Sequence, residues 1–281
     1  MPTYSVSCDS VALGARGELY TLVVYTDGEA FNSYVLEEVD LSEEEVERIE
    51  HLDIQIWLTD LWRAAGGPLF VCDENGKVHV GRAGTWAVEA TESSRALTCL
   101  WGLSEDTVFT AGDAGIVFQR RGTAWPAISP PFDQTLFGIG GTSTSDIYVC
   151  GDRGFFAHFD GRTWSTIPLP TNNRLLGILA LSPEDVLVCG AAGVLFRGSG
   201  DSWRSYVPAE SDLHSIARFR DRIFLAASRS GVLELVDDSF IVVRDTFVSY
   251  KLIASDAFLA SAGDISAVRS DLSTWDAIDY E

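Results

Sequence analysis

Apolar runs of four to six residues alternate with turn residues every 8 to 12 positions along most of this chain, the rhythm of an all-β fold. The stretch from Leu136 to Ile167 shows it best. Leu136-Phe-Gly-Ile-Gly-Gly predicts a first strand, Thr142 to Asp146 a turn, and Ile147-Tyr-Val-Cys150 a second strand. Gly151 to Gly154 then predicts a tight turn, Phe155 to Phe159 a third strand, and Thr163-Trp-Ser-Thr-Ile167 a fourth. The Gly-x-x-Gly at 112–115, 151–154 and 190–193 suits a hairpin that needs positive φ, which glycine adopts at little steric cost.

The pattern repeats. Gly76, Gly115, Gly154 and Gly193 fall 39 residues apart and Gly231 follows after 38. Trp86, Trp125, Trp164 and Trp203 keep the same 39-residue step, continued by Phe240 and Trp275. Copies run over Ile54–Ala90, Ser94–Pro130, Gln134–Pro170, Arg174–Pro208, Leu213–Thr246 and Tyr250–Tyr280. Four-stranded units that cannot bury both faces alone must stack, and radial stacking closes them into a β-propeller with the aromatic slot packed between blades.

Six copies are clear, and the N-terminus offers a seventh. In it Gly14-Ala-Arg-Gly17 stands for the hairpin, Asp27-Gly28 for the second turn and Phe31 for the tryptophan. Counting this copy gives seven blades; leaving it out gives six. Glu37 to Asp53 breaks the period. Ser42-Glu-Glu-Glu45 is a capping-box sequence, and Val46, Ile49 and Leu52 mark an apolar edge, which predicts a short acidic helix over 37–53 inserted between the first and second repeats. The whole of 1–281 reads as a single domain.

Charge sharpens the picture at that segment. The formal net charge is −21, and residues 1–57 hold 13 acidic residues against Arg16 and Arg48 alone, a net of −11. Such a field repels nucleic acid and anionic lipid and attracts basic partners. The run reads either as a solvated face or as a docking element, and its exposed acids Glu43, Glu44, Glu45, Glu47, Glu50 and Asp53 are the candidate partner-binding residues. Without an 18-residue apolar run or a basic leader, a cytoplasmic protein away from the membrane is expected. A monomeric propeller is the expected state.

Five cysteines without paired spacing argue against a disulfide framework. Cys72, Cys150 and Cys189 sit four residues before the repeating glycine, in a slot that Ala111 and Ala227 fill elsewhere, so a small buried residue is expected there. His51, His79, His158 and His214 are scattered without metal-ligand spacing, so no metal or cofactor is expected.

Phe159-Asp-Gly-Arg-Thr-Trp164 resembles the Asp-box of sialidases and related propellers, although its aspartate and glycine are adjacent rather than separated by one residue. In those families the box is a structural turn, so the resemblance implies fold. The apolar first strand, Val-x-Gly-x-x-Gly centre and closing tryptophan are similar to the repeats of photosystem-assembly-type propellers over about four copies. A sialidase-like site would need converging arginines, for which Arg63, Arg95, Arg174 and Arg218 are the candidates near first strands. The composition favours instead a non-catalytic propeller that binds a basic partner protein. An immunity protein neutralising a bacterial toxin is the sharpest version; an assembly factor or scaffold, and a sialidase-like glycan-binding or hydrolytic propeller, are the alternatives.

Overall fold

A computed structural model describes residues 5–41, 46–82, 84–128 and 132–280. Seven antiparallel sheets follow one another along the chain and form the blades of a β-propeller. Blade one holds β1 (Ser5–Leu13), β2 (Leu19–Thr26), β3 (Phe31–Val39) and β4 (Glu47–Ile54). Blade two holds β5 (Leu58–Arg63), β6 (Leu69–Asp73), β7 (Lys77–Arg82) and β8 (Thr85–Ala90). Blade three holds β9 (Leu97–Ser104), β10 (Thr107–Gly112) and β11 (Val117–Gln119); Pro126 interrupts its outer segment, which is bridged to β11 at Phe118 and Ala127.

Blade four holds β12 (Leu136–Ser143), β13 (Asp146–Gly151), β14 (Phe156–Phe159) and β15 (Trp164–Thr166), matching the strands read from the sequence. Blade five follows with β16 (Leu175–Ser182), β17 (Asp185–Gly190), β18 (Leu195–Ser199) and β19 (Ser202–Ser205). Blade six holds β20 (Ser215–Phe219), β21 (Arg222–Ala226), β22 (Val232–Val236) and β23 (Ser239–Arg244), and blade seven β24 (Lys251–Ala254), β25 (Leu259–Gly263), β26 (Ser266–Ser270) and β27 (Trp275–Asp279). The first strand of each blade contacts the first strands of both neighbours, and β1 meets β24, which closes the ring.

The core lies in the wedges between blades. Val35 of blade one packs with Leu58 and Leu61 of blade two, and Cys150 and Phe156 of blade four pack with Leu175 and Val188 of blade five. The repeating aromatics fill these wedges as expected. Trp125 is 2% exposed and packs with Phe70 and Cys72 of blade two; Trp164 donates from Nε1 to the Ile128 carbonyl of blade three (2.6 Å); Trp203 meets Phe156 of blade four edge-on at 5.2 Å. The five cysteines are free and buried, and burial pushes their thiols up from the ordinary range.

The two glycines of each Gly-x-x-Gly do different things. Gly154 has φ +70, and a Cβ there would sit 2.1 Å from the Thr171 carbonyl oxygen on the way to the next blade. Gly151 is extended, and its Cβ would meet the Thr135 carbonyl oxygen at 2.1 Å. Conformation disfavours a side chain at Gly154, the second glycine, and close approach excludes one at both.

Two expectations are corrected. Glu37 to Asp53 is not a helical insert: Glu37–Val39 ends β3 and Glu47–Asp53 belongs to β4, while residues 42–45, with their capping box, lie outside the described residues. The helix-like spacing of Ile49 and Leu52 comes from a bulge. The register passes from Leu36↔Glu50 to Val35↔Leu52, so His51 is the extra residue and a strand acquires a three-residue step on one face. The N-terminal copy is also shifted by one hairpin. Gly14 to Gly17 joins β1 to β2, Asp27-Gly28 joins β2 to β3, and Phe31 opens the third strand and packs on Trp57 at 5.2 Å. The fourth strand is the acidic segment itself, so the first blade is complete without borrowing from the last.

Candidate protein-binding surface

Blade one carries the acids singled out from the sequence. Its sheet order is β1-β2-β3-β4, which leaves β4 outermost. Glu47, Glu50 and Asp53 are exposed on it, and Glu43, Glu44 and Glu45 lie outside the described residues. The strand does not gather the three into one patch. Glu50 and Asp53 share a face with their cross-strand partners Leu36 and Tyr34, which turn toward blade seven, and Arg48 joins them opposite Glu38. Glu47 lies on the other face with Ile49, Leu52 and Ile54, toward blade two. Strand alternation therefore puts carboxylates on both sides of the outer edge. Asp53 accepts a hydrogen bond from Asn32 Nδ2 at 2.8 Å.

The face of the same blade toward blade two carries a polar cluster that the sequence reading missed. His51 Nε2 lies 2.6 Å from Glu37 Oε2, and the His51 and Tyr20 rings are 5.9 Å apart. The Arg63 guanidinium of blade two stacks over Tyr20 at 4.9 Å. Burial, with the Glu37 charge beside it, pushes the Tyr20 phenol up to about 12. Nothing in the local sequence marks this group, because Tyr20, Glu37, His51 and Arg63 come from four strands.

A second surface feature is a groove of about 660 Å³ between blades five and six, at the end of the ring where first strands turn into second strands. Its walls are cross-strand ion pairs. Arg197 grips Asp185 with two bonds, Nε to Oδ1 at 2.6 Å and Nη2 to Oδ2 at 2.7 Å, which holds the aspartate below its usual range. In blade six the polarity is inverted, with Arg222 clasping Glu234. Asp146 and His158 of blade four, 2.8 Å apart, are the same rung again. A 12-residue spacing between a carboxylate and an arginine or histidine links all three pairs and was legible in the sequence. Leu181, Ile223 and Leu235 supply the groove's apolar lining.

The four arginines considered for a sialidase-like centre do not converge. Arg63 ends β5 and Arg218 lies near the end of β20, whereas Arg95 and Arg174 precede β9 and β16. Because the first strands run the same way around the ring, the two pairs sit at opposite ends of it. Arg174 is held by Asp152 at 2.9 Å and stacks over Phe137. Near the ring axis, Asp60 joins four blades. Its carboxylate accepts from Ser10 Oγ (2.7 Å), Leu100 N (2.9 Å) and Lys251 Nζ (2.7 Å).

No protein-family model matches the chain, and no curated protein matches it in sequence. Solved structures do match. The WD40 β-propeller domain of Doa1 aligns over 96% of both chains with a TM-score of 0.71 and 8% identity. A chain of a mitotic checkpoint complex aligns over 97% of this chain and 88% of its own, with a TM-score of 0.68 and 14% identity. YCF48 bound to D1 peptide aligns over 79% and 80%, with a TM-score of 0.59 and 12% identity. At such identities the likeness is one of fold, and that fold is the seven-bladed propeller.

Proposed function

We propose that this chain is a non-catalytic, protein-binding propeller whose first blade presents an acidic surface to a basic partner protein. In its sharpest form the role is that of a cytoplasmic immunity protein, an inhibitor matched to a basic bacterial toxin. The supporting observation is the placement of exposed Glu47, Glu50 and Asp53 along the rim of a blade whose segment carries a net charge of −11. Such a field speeds encounter with a basic protein and sets its orientation, while apolar contacts hold the complex. Propellers of this fold have been solved with a bound peptide and within a checkpoint complex, which agrees with a binding role. An assembly factor or scaffold would use the same surface, and the partner's identity separates the two.

The test is affinity capture from native lysate with the whole protein as bait, beside a bait carrying Glu47→Gln, Glu50→Gln and Asp53→Asn. Screening shortens from roughly 14 Å at ~0.05 M salt to about 4 Å at ~0.5 M. A basic protein kept by the wild type at low salt, and lost from the neutralised bait, is the expected result. Equal capture by both baits would remove the acidic rim from the reading, and turnover of a fluorogenic sugar by the purified protein would replace it with a glycan-processing one.

A further inference from the structure

The acids of β4 straddle its edge, and a flat basic patch on a globular partner could reach only one side of it. A strand laid alongside reaches both, because its own side chains alternate between the two faces. We propose that β4 is a strand-addition site, where a basic extended segment of the partner pairs with the open edge of β4 and becomes a fifth strand of blade one. This rests on the reading of the protein as a binder of basic partners.

Among the described residues β4 is hydrogen-bonded to β3 alone, which leaves its other edge a row of unpaired backbone donors and acceptors. At eight residues it is the longest outer strand; β8 and β23 have six, β27 five, β19 four and β15 three. Glu47 to Ile54 contains no proline, so no backbone donor is missing. Ile49, 38% exposed, adds an apolar contact. A second copy of this chain is a poor occupant, since pairing β4 with itself sets three acids and one arginine against the same set. Charge complementarity selects lysine- or arginine-rich strand.

The probe is a synthetic peptide of about nine residues, enough to span β4, with lysines at both odd and even positions separated by threonine and valine. Its binding to the full chain is measured by fluorescence anisotropy at low salt, beside an analogue methylated on alternate backbone nitrogens. The two peptides carry the same charge, and only the first can complete a ladder. The expected result is roughly tenfold weaker binding of the methylated peptide, amide-exchange protection confined to residues 46–54, and a loss of about tenfold in the Glu47→Lys/Glu50→Lys/Asp53→Lys variant. Equal binding of both peptides, or no binding of the first, overturns strand addition. Equal binding of both that is still lost on charge reversal leaves the acidic-surface reading standing; binding indifferent to charge reversal removes that reading as well.

Discussion

The phenol of Tyr280 donates to Glu38 Oε1 at 3.2 Å, joining the last blade to the first across 242 residues of chain. The same hydroxyl meets Thr21 Oγ1 at 2.8 Å, and the Arg48 guanidinium lies over the ring while its Nε bonds Glu38. Arg269 of blade seven adds a bond to the Gly17 carbonyl at 2.7 Å. Among the described residues no strand is exchanged between the two blades, so these side chains, with one backbone bond from the Cys8 amide to the Asp264 carbonyl at 2.5 Å, close the seam. Tyr280→Phe is expected to cost about 1–3 kcal/mol by leaving buried Glu38 short of a donor, and Tyr280→Ala about 3–5 kcal/mol. Urea unfolding of the two variants checks the order; an unchanged midpoint for Tyr280→Ala would show that the seam holds without it.

The Asp60–Lys251 pair gives a second prediction. Lys251 reaches from blade seven past Ser10 of blade one to Asp60 of blade two. Asp60→Ala strands the Leu100 amide and the Lys251 ammonium together, for an expected loss of about 3–5 kcal/mol. Lys251 keeps 26% of its side chain exposed, so Lys251→Met should cost less. Burial, the largest single influence, pulls the Lys251 pKa down, but the Asp60 charge, the hydrogen bond to it and the nearby Cys99 and Cys72 together outweigh burial, so it stands above the ordinary 10.5. A raised pKa stabilises the fold while the ammonium persists, so this contribution is present at neutral pH and fades as pH rises above that value. A guanidinium titration at alkaline pH should show the decline in the wild type and a shallower one in Lys251→Met.

Acid acts through other groups. Burial alone would raise the Asp73 carboxyl, but hydrogen bonds from His79 and from the amides of Lys77 and Asn75 outweigh it and bring it below 3.8. A lowered carboxylate contributes stability above its unfolded pKa that is lost as pH falls through the folded one, at up to about 1.4 kcal/mol per pH unit per group. Asp73→Asn should therefore flatten the fall in urea midpoint below about pH 4.

The hairpin of blade five offers a stabilising change. Ala192 is exposed with φ +56, a conformation that costs an L-residue about 1–2 kcal/mol. Ala192→Gly is expected to stabilise by up to about 1 kcal/mol, allowing for the freer unfolded chain. At the neighbouring position Gly193→Ala should destabilise strongly, because its Cβ would lie 2.1 Å from the Ala209 carbonyl oxygen. Thermal melts of the pair should move in opposite directions.

Trp164 fills the wedge between blades three and four and is expected to cost about 3–5 kcal/mol on replacement by alanine. Trp164→Phe keeps most of the apolar contact and loses the bond to Ile128, for about 1 kcal/mol. If both variants melt with the wild type, the repeating tryptophan is not what joins the blades.

Much of this was legible because repetition amplifies weak local signals. A strand of four or five residues is ambiguous alone, but Leu58, Leu97, Leu136 and Leu175 recur at one spacing, and each opens an inner strand. Blade one escaped that register. Its hairpin glycines fall elsewhere, its outer strand is acidic, and the bulge at His51 gives that strand the spacing of a helix.

The candidate surface divides along the same line. Its composition was visible from the run between Glu37 and Asp53, whereas its arrangement was not, because which face each acid takes depends on register with β3.

The linear sequence, then, determined the repeat, the strand order within a repeat and the small residue before each hairpin, all of which follow from local spacing and conformational limits. Tertiary structure decided the rest: that the first blade is complete, that Tyr280 and Glu38 close the ring, that Asp60 meets Lys251, and that the acids straddle an open edge. Those relations join residues from different blades or strands, and only the closing of the ring and the pairing of the strands bring them together.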